Sequence, residues 1–390
     1  MNEKTYTVIF PLIKSAVLGE PISEEIKNNF EKAALFNVFN ISKMHDIAHI
    51  VGAGLRKNGL MVKEDAVYEK FRQEEMTAVM RYERINYEIE SLRKILADGK
   101  IPFMLLKGAV IRKYYPQPWM RTSCDIDVLV HEETLDDAVK ILKAHNYRQE
   151  GDKNFHDVSL FSPSGVHLEL HYTLKENKAI IDKVLEQVWD YSFKDKDGDF
   201  EFFQTNEFLL YHLLAHMSYH FVMGGCGIRS FLDIYILTKS MEFDENKLRA
   251  LCDEASLTEF YNNVKALAEV WFGGKEHSEL TLKTENYIVR GGVYGTIANS
   301  VLVSQAQKGG KFKNIMHRIF LPYDSLKYRY KVLEKHKWLT PFFWVVRWFS
   351  LLKRDTFKRS VSELKANRNS DEKIKETADF LSEVGLSELK

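Results

Sequence analysis

The sequence predicts an α+β protein, in which a small mixed sheet is flanked by N-terminal helices and followed by a large C-terminal helical domain. Apolar residues repeat at helical spacing before residue 100 and again after residue 205, whereas short strand-like apolar runs lie between these regions. A chain of 390 residues is longer than one hydrophobic core usually organises. We therefore expect an N-terminal helical region over 1–84, a core containing the sheet over 85–200 and a helical domain over 201–390.

Two helical patterns make up the N-terminal region. The first ends at Gly59, a natural helix stop. Its apolar positions are Met44, Ile47, Ala48, Val51 and Leu55. The second runs from about Glu64 to Asp98, and its apolar positions step by three and four residues, as on a core-facing helix. These positions are Tyr82, Ile85, Ile89, Leu92 and Leu96.

The core alternates strand and helix patterns. A short apolar run at 101–106 is followed by Lys107-Gly108 and a short helix that reaches Tyr114. A β-branched strand, a helix around 135–142 and strands at 147–149 and 157–162 come next. The turn signal at 162–165 precedes a returning strand at 166–172. We expect one sheet with helices covering one of its faces.

Helical patterns dominate the C-terminal half. We expect helices near 206–222, 228–241, 244–255, 257–272 and 285–307, and a loop at 367–371 before a last short helix. The sequence has no repeat at a fixed period, which argues against a solenoid.

Composition indicates a soluble cytoplasmic protein. The 55 basic and 55 acidic residues balance, so a strong nonspecific attraction to nucleic acid is not expected. Three scattered cysteines form neither a disulfide framework nor a metal knuckle. The N-terminus lacks the features of a secretory signal, and no apolar run is long enough to span a bilayer.

Two carboxylates stand out inside the β-branched run 125–130. In a strand, Asp125 and Asp127 share one face, and Ile126 and Val128 share the other. Two like charges side by side oppose folding unless a cation lies between them. Mg²⁺ suits this position because it takes carboxylate oxygens and leaves sites open for phosphates.

The returning strand and the segments before the two aspartates supply further candidates. Glu169 lies between His167 and His171 on one strand face, and it becomes a third carboxylate if this strand pairs with the aspartate strand. Three carboxylates suit nucleotidyl transfer with two metal ions, in which Glu169 either ligates a metal or accepts the hydroxyl proton. Lys107 and the backbone of Gly108 are candidates for binding phosphate, and the Arg121 guanidinium is a candidate for gripping the triphosphate.

These motifs resemble those of a known family, the bacterial uncharacterised nucleotidyltransferases of the polymerase-beta-type superfamily. The resemblance covers about residues 85–175 and rests on Leu106-Lys107-Gly108, on Arg121 with Asp125-Ile126-Asp127-Val128-Leu129-Val130, and on Glu169-Leu170-His171-Tyr172. It implies that Asp125 and Asp127 are metal ligands, with Glu169 in the third-acid position. The superfamily's usual Gly-Gly or Gly-Ser pair is represented here only by Lys107-Gly108. The third acid, often Asp before Leu-His-Trp, is Glu169 before Leu-His-Tyr.

The resulting hypothesis is a nucleotidyltransferase that uses two Mg²⁺ ions to move a nucleoside monophosphate from a triphosphate, with ATP expected, to a hydroxyl group. A small-molecule acceptor is favoured over protein or RNA, and the absence of net charge argues against RNA. The alternative is a non-catalytic nucleotide-sensing or scaffold protein that retains the fold.

Other patterns have structural interpretations that we favour. His212, His216 and His220 line one helix face, where they either pack, bind a metal or line the acceptor pocket. Arg229 and Asp233 form an i,i+4 pair or border the nucleotide. The segment 45–49 has the form His-Asp-x-x-His and lacks the glutamate of a zinc protease. The aromatic segment 338–352 is expected to be a helix buried against the domain, with an interfacial membrane helix as the alternative.

Overall fold

The computed structural model describes residues 3–196, 198–293, 295–350 and 369–389. Its N-terminal region contains the helices α1 (Glu3–Val17), α2 (Glu24–Asn29), α3 (Leu35–Met44), α4 (Ala48–Lys57) and α5 (Tyr68–Asp98). The first predicted helical pattern is divided between two of them, because the chain turns at Asp46, where φ is +54°. Met44 therefore ends α3 and is exposed, whereas Ile47, Val51 and Leu55 are buried.

Helix α5 confirms the second pattern and begins at Tyr68, four residues later than expected. Its residues Ile85, Ile89, Leu92 and Leu96 are buried, as predicted. The predicted domain boundary at residue 84 falls inside this helix, and the division into three domains stays a prediction.

One mixed sheet of seven strands forms the core, in the order β3-β4-β5-β2-β1-β7-β6. Its strands are β1 (Phe103–Leu105), β2 (Asp125–Val130), β3 (Arg148–Gln149), β4 (Asp157–Phe161), β5 (His167–His171), β6 (Ser192–Phe193) and β7 (Glu201–Gln204). The short strands β6 and β7 were not predicted. Three helices lie along the same stretch, namely α6 (Gly108–Ile111), α7 (Leu135–Ala144) and α8 (Ala179–Leu185).

The two faces of the sheet differ in character. Ile126, Val128 and Val130 point to one face, where they join a buried cluster with apolar residues of α5 and α7. The prediction of a covered face is therefore confirmed. The other face is covered as well at Met104 and Leu129, which pack into the larger core of the helical regions. The acidic side chains lie on this second face.

The C-terminal half is helical, as predicted. Its first six helices are α9 (Asn206–Val222), α10 (Ile228–Ser240), α11 (Glu245–Glu254), α12 (Thr258–Gly273), α13 (Glu279–Gly291) and α14 (Ile297–Lys308). The prediction of one helix over 285–307 was wrong, since α13 and α14 are separate helices. Between them, Gly295 has φ +68°, and a Cβ there would lie 2.2 Å from the backbone of Gly224. Gly295 must therefore be glycine, and the helix cannot continue through this position.

The remaining helices of the described residues are α15 (Lys311–Ile319), α16 (Tyr323–Arg329), α17 (Val332–Lys335), α18 (Thr340–Ser350) and α19 (Asp371–Glu383). The expected burial of segment 338–352 was wrong, because α18 leaves one face exposed. Residues 351 and 352 of that segment, and the first two residues of the predicted loop at 367–371, lie outside the described residues. Among the helices of the described ranges, none combines the length and apolar character needed to cross a membrane.

Candidate active site

The three predicted carboxylates meet on one face of the sheet. Strands β2 and β5 are parallel neighbours, with Asp127 opposite Glu169 and Asp125 opposite His167. The predicted pairing of these strands is therefore confirmed. Residues directly opposite in a sheet hold their side chains about 5 Å apart, so the geometry concentrates negative charge at this point of the surface.

His171 contacts two of these carboxylates. Its Nε2 lies 3.1 Å from Oδ1 of Asp127 and 3.5 Å from Oε2 of Glu169. The hydrogen bond with His171 lowers the pKa of Glu169. Burial alone would lower the pKa of His171, but its contacts with Asp127 and Glu169 outweigh burial and raise it. His171 thus orients two of the three acids.

The two aspartates have opposite electrostatic environments. Burial, together with the charges of Asp127 and Glu169, raises the pKa of Asp125. Burial acts in the same direction on Asp127, but the Lys107 ammonium and His171 outweigh it and hold the pKa of Asp127 well below its usual range. Asp127 is therefore the firmly ionised member of the pair. A cation beside Asp125 would favour its ionised form, because burial and the charges of Asp127 and Glu169 oppose that form.

Lys107 reaches this cluster from a tight turn after β1. Its Nζ lies 3.3 Å from Oδ1 of Asp127. Its backbone has φ +43° and ψ −115°, and the amide of Ala109 donates to the carbonyl of Leu106 across the turn. This is the geometry of the first central position of a type II′ turn, where glycine is strongly preferred. A lysine at a position that favours glycine makes Lys107 a candidate functional residue.

Replacing Lys107 tests the strain directly. We expect Lys107→Ala to be about 1 kcal/mol less stable than Lys107→Gly, because only glycine adopts this backbone geometry without cost. Inside a helix the alanine variant is normally the more stable of the two. The matched pair Lys94→Ala and Lys94→Gly, at an exposed position inside α5, should show this normal order. Urea unfolding measures all four variants. If Lys107→Ala were more stable than Lys107→Gly, the backbone at this position would not be strained.

Gly108 brings the turn against the segment that precedes β2. A Cβ at Gly108 would lie 3.1 Å from Cβ of Ser123. The buried Arg112 ties the two segments together, since its Nε donates to the Gly108 carbonyl at 2.9 Å and its Nη2 to Oγ of Ser123 at 3.1 Å. Burial and the nearby Arg121 lower the pKa of Arg112 to about 10. The absence of a side chain at Gly108 thus sets the spacing between the turn and the aspartate strand.

Arg121 is paired with a carboxylate outside the cluster. Its Nε donates to both carboxylate oxygens of Asp233 on α10, at 2.7 and 2.9 Å, and its Nη1 donates to the Thr122 carbonyl. Tyr115 donates a further hydrogen bond to Asp233 at 2.7 Å. The ion pair between Arg121 and Asp233 is buried, and it fixes the segment before Asp125 to the C-terminal helices. The triphosphate contact of Arg121 stays a prediction.

The predicted i,i+4 pair between Arg229 and Asp233 was wrong. Arg229 donates instead to Asp46 at 2.7 Å and to Oγ1 of Thr122 at 3.0 Å. This contact links the N-terminal helices, the segment before β2 and α10. In the His-Asp-x-x-His segment, His45 and His49 contact the backbone carbonyls of Val289 and Met120, respectively. Both histidines are buried structural residues.

The histidine face of α9 lies next to the acids. Nδ1 of His216 is 2.7 Å from Oε1 of Glu176, and its Nε2 is 3.1 Å from Nε2 of His220. His212 bonds Gln204. His216 lies close enough to Lys107 and Asp127 for their charges to act on it. The sequence predicted the face but not Glu176, which lies in a loop without any distinguishing pattern.

Buried histidines make stability depend on pH. Burial lowers the pKa of His45 to about 4, whereas the unfolded chain titrates near 6.5. The unfolded state therefore binds more protons, so the free energy of unfolding falls as the pH drops from 6.5 toward 4. At pH 5, His45 contributes about 2 kcal/mol of this loss. Urea unfolding of His45→Gln should show a pH dependence smaller by that amount. The exposed His145→Gln serves as the control, and equal curves for His45→Gln and wild type would contradict the assignment.

The donor set fits a divalent cation. Among the described residues, two groups hold ligand atoms within 4.8 Å of one another, Asp125 with His167 and Glu169, and Asp127 with Glu169 and His171. Glu169 belongs to both groups. Carboxylate oxygens suit Mg²⁺ and Mn²⁺, and the histidine nitrogens widen the choice toward transition metals.

Comparison with known proteins identifies one family. The model of the family described as "Uncharacterised nucleotidyltransferase" matches residues 35–273. This range contains the whole sheet, the three carboxylates and helices α9 to α12. The chain matches no curated protein and no solved structure.

Proposed function

Because the chain belongs to the uncharacterised nucleotidyltransferase family, we propose that it transfers a nucleoside monophosphate from a triphosphate, ATP being the expected donor, to the hydroxyl of a small molecule. The register that sets Asp127 opposite Glu169, beside Asp125, carries the proposal. We place the reaction in the cytoplasm with two Mg²⁺ ions as cofactors. When bound, the ions would polarise the triphosphate and lower the pKa of the attacking hydroxyl.

Each residue of the site has a distinct part in this proposal. Asp125 and Asp127 would hold the metal ions, and Glu169 would ligate an ion or take the proton of the acceptor hydroxyl. His171 keeps Asp127 and Glu169 in place through its contacts at 3.1 and 3.5 Å.

The phosphate side of the site would be formed by the turn after β1. Lys107 would exchange its contact with Asp127 for one with a phosphate oxygen when a metal ion neutralises the carboxylate. Gly108 would let the backbone approach the phosphates closely. Arg121 would act mainly by holding the segment before Asp125, through its contact with Asp233.

The acceptor class can be found directly. Purified protein is incubated with α-labelled NTPs, Mg²⁺ and a cell extract, and the products are separated into small molecules, protein and RNA. We expect pyrophosphate release and label in the small-molecule fraction, with neither in the Asp127→Asn variant. Label in the protein or RNA fraction would show that the acceptor belongs to that class instead. Nucleotide binding without pyrophosphate release in any fraction would favour the non-catalytic alternative.

A further inference from the structure

Helix α18 presents an apolar face to solvent. Phe342, Val345, Trp348 and Phe349 are exposed by 60, 42, 37 and 69%, respectively. Their spacing places them on one side of the helix. An ordinary surface helix has the opposite arrangement, with its apolar stripe against the core.

The other side of α18 fixes this orientation. Nε1 of Trp344 donates to the Leu321 carbonyl at 2.7 Å, and Nη1 of Arg347 donates to the Arg318 carbonyl at 2.9 Å. The ring of Trp344 also packs edge-on against Phe320, with centroids 5.0 Å apart. Because these contacts occupy the inner side, the exposed aromatic residues cannot simply turn inward.

Two further aromatic residues are exposed in this C-terminal region. Trp338, just before α18, is 76% exposed, and Phe312 on α15 is 74% exposed. Apolar side chains scattered singly need no explanation, but a helix face of this kind together with two nearly free aromatic rings marks an interaction surface.

The region is also strongly basic. Residues 308–350 contain ten Lys and Arg and two Asp and Glu, a net charge of +8, whereas the whole chain is balanced. Lys331, Lys335 and Lys337 are exposed and lead directly into Trp338 and α18. A partner of this surface must therefore be both apolar and negatively charged.

We propose that α18 and the basic segment before it dock on an anionic lipid membrane. Phe342, Val345 and Phe349 would enter the boundary between headgroups and acyl chains, with Trp338 at the headgroup level and the lysines on the anionic headgroups. The apolar run 341–352 contains Arg347 and is too short to span a bilayer, so α18 would lie in the plane of the membrane.

The same observations disfavour two other occupants. A second copy of this surface would bring two charges of +8 together. Nucleic acid offers negative charge and surfaces for stacking. It does not offer an apolar environment for Val345 and the rest of the exposed apolar face of α18. The inference concerns a surface outside the carboxylate cluster and does not depend on the proposed reaction.

Vesicle flotation tests the proposal with the full chain. We expect binding to phosphatidylcholine vesicles with about 30% phosphatidylserine and little binding to phosphatidylcholine alone, with affinity falling as salt rises. The variant Phe342→Ser/Phe349→Ser should lose at least about tenfold in partitioning. Lys335→Gln/Lys337→Gln should lose a similar factor on the anionic vesicles.

A matched control separates this surface from general hydrophobicity. Met80→Ser changes a side chain on α5 that is 68% exposed, and it should bind vesicles as wild type does. No binding to anionic vesicles, or equal binding by Phe342→Ser/Phe349→Ser, would overturn the proposal. Binding of RNA, or a dimer in solution, that disappears in the same variant would also overturn it and would identify the partner instead.

Discussion

Asp127→Asn is expected to reduce nucleotidyl transfer by about a thousandfold or more, while the protein stays folded. Asparagine keeps the size of the side chain but removes the charge that is held firmly ionised between Lys107 and His171. Loss of a metal-binding carboxylate removes several kcal/mol of stabilisation from the transition state. The measurement is pyrophosphate release with the acceptor fraction identified by labelling.

A second site variant and a control variant accompany this measurement. Asp125→Asn should cause a loss of similar size, because Asp125 faces the same side of β2. Asp137→Asn, an exposed aspartate at the start of α7, is the control and should keep wild-type activity. An Asp127→Asn variant with more than about a tenth of wild-type transfer would contradict the assignment of this residue as a metal ligand.

Asp233→Ala should cost about 3–5 kcal/mol in the free energy of unfolding, the largest stability effect we expect. The substitution leaves the buried Arg121 guanidinium without its carboxylate and removes the hydrogen-bond acceptor of Tyr115. An unpaired buried charge is far more costly than the loss of an exposed ion pair. Urea unfolding at pH 7 measures the change.

Asp46→Asn is the matched control for this prediction, because asparagine tolerates the left-handed backbone at this position, where φ is +54°. It removes the charge that pairs with Arg229, and the Asp46 side chain is 39% exposed, so we expect a cost of about 1 kcal/mol or less. Equal costs for the two variants would show that the contact between Arg121 and Asp233 does not hold the segment before β2 as described.

Local sequence patterns predicted the sheet and its acidic face well. Alternation with a period of two places Asp125 and Asp127 on one face, and the same rule places Glu169 between His167 and His171. Once β2 and β5 pair in parallel, the carboxylates must meet. Most of the C-terminal helices also follow from apolar spacing within each segment, because burial of one helix face is a local property.

Contacts between distant parts of the chain were not predictable in this way. Arg121 and Asp233 are separated by 112 positions, and the residues around each of them do not indicate its partner. The neighbouring Arg229 offered a local alternative that the fold does not use. Likewise, periodicity reveals that α18 has an apolar side, but only the packing of Trp344 and Arg347 determines that this side faces outward.

Calorimetric titration of ATP in the presence and absence of Mg²⁺, on wild type and on Asp125→Asn/Asp127→Asn, tests the central claim most directly. We expect wild type to bind ATP only when Mg²⁺ is present, and we expect the double variant to lose this metal-dependent binding. Equal metal-dependent binding by the two proteins would contradict the claim that the acidic face of β2 and β5 is a metal and nucleotide site.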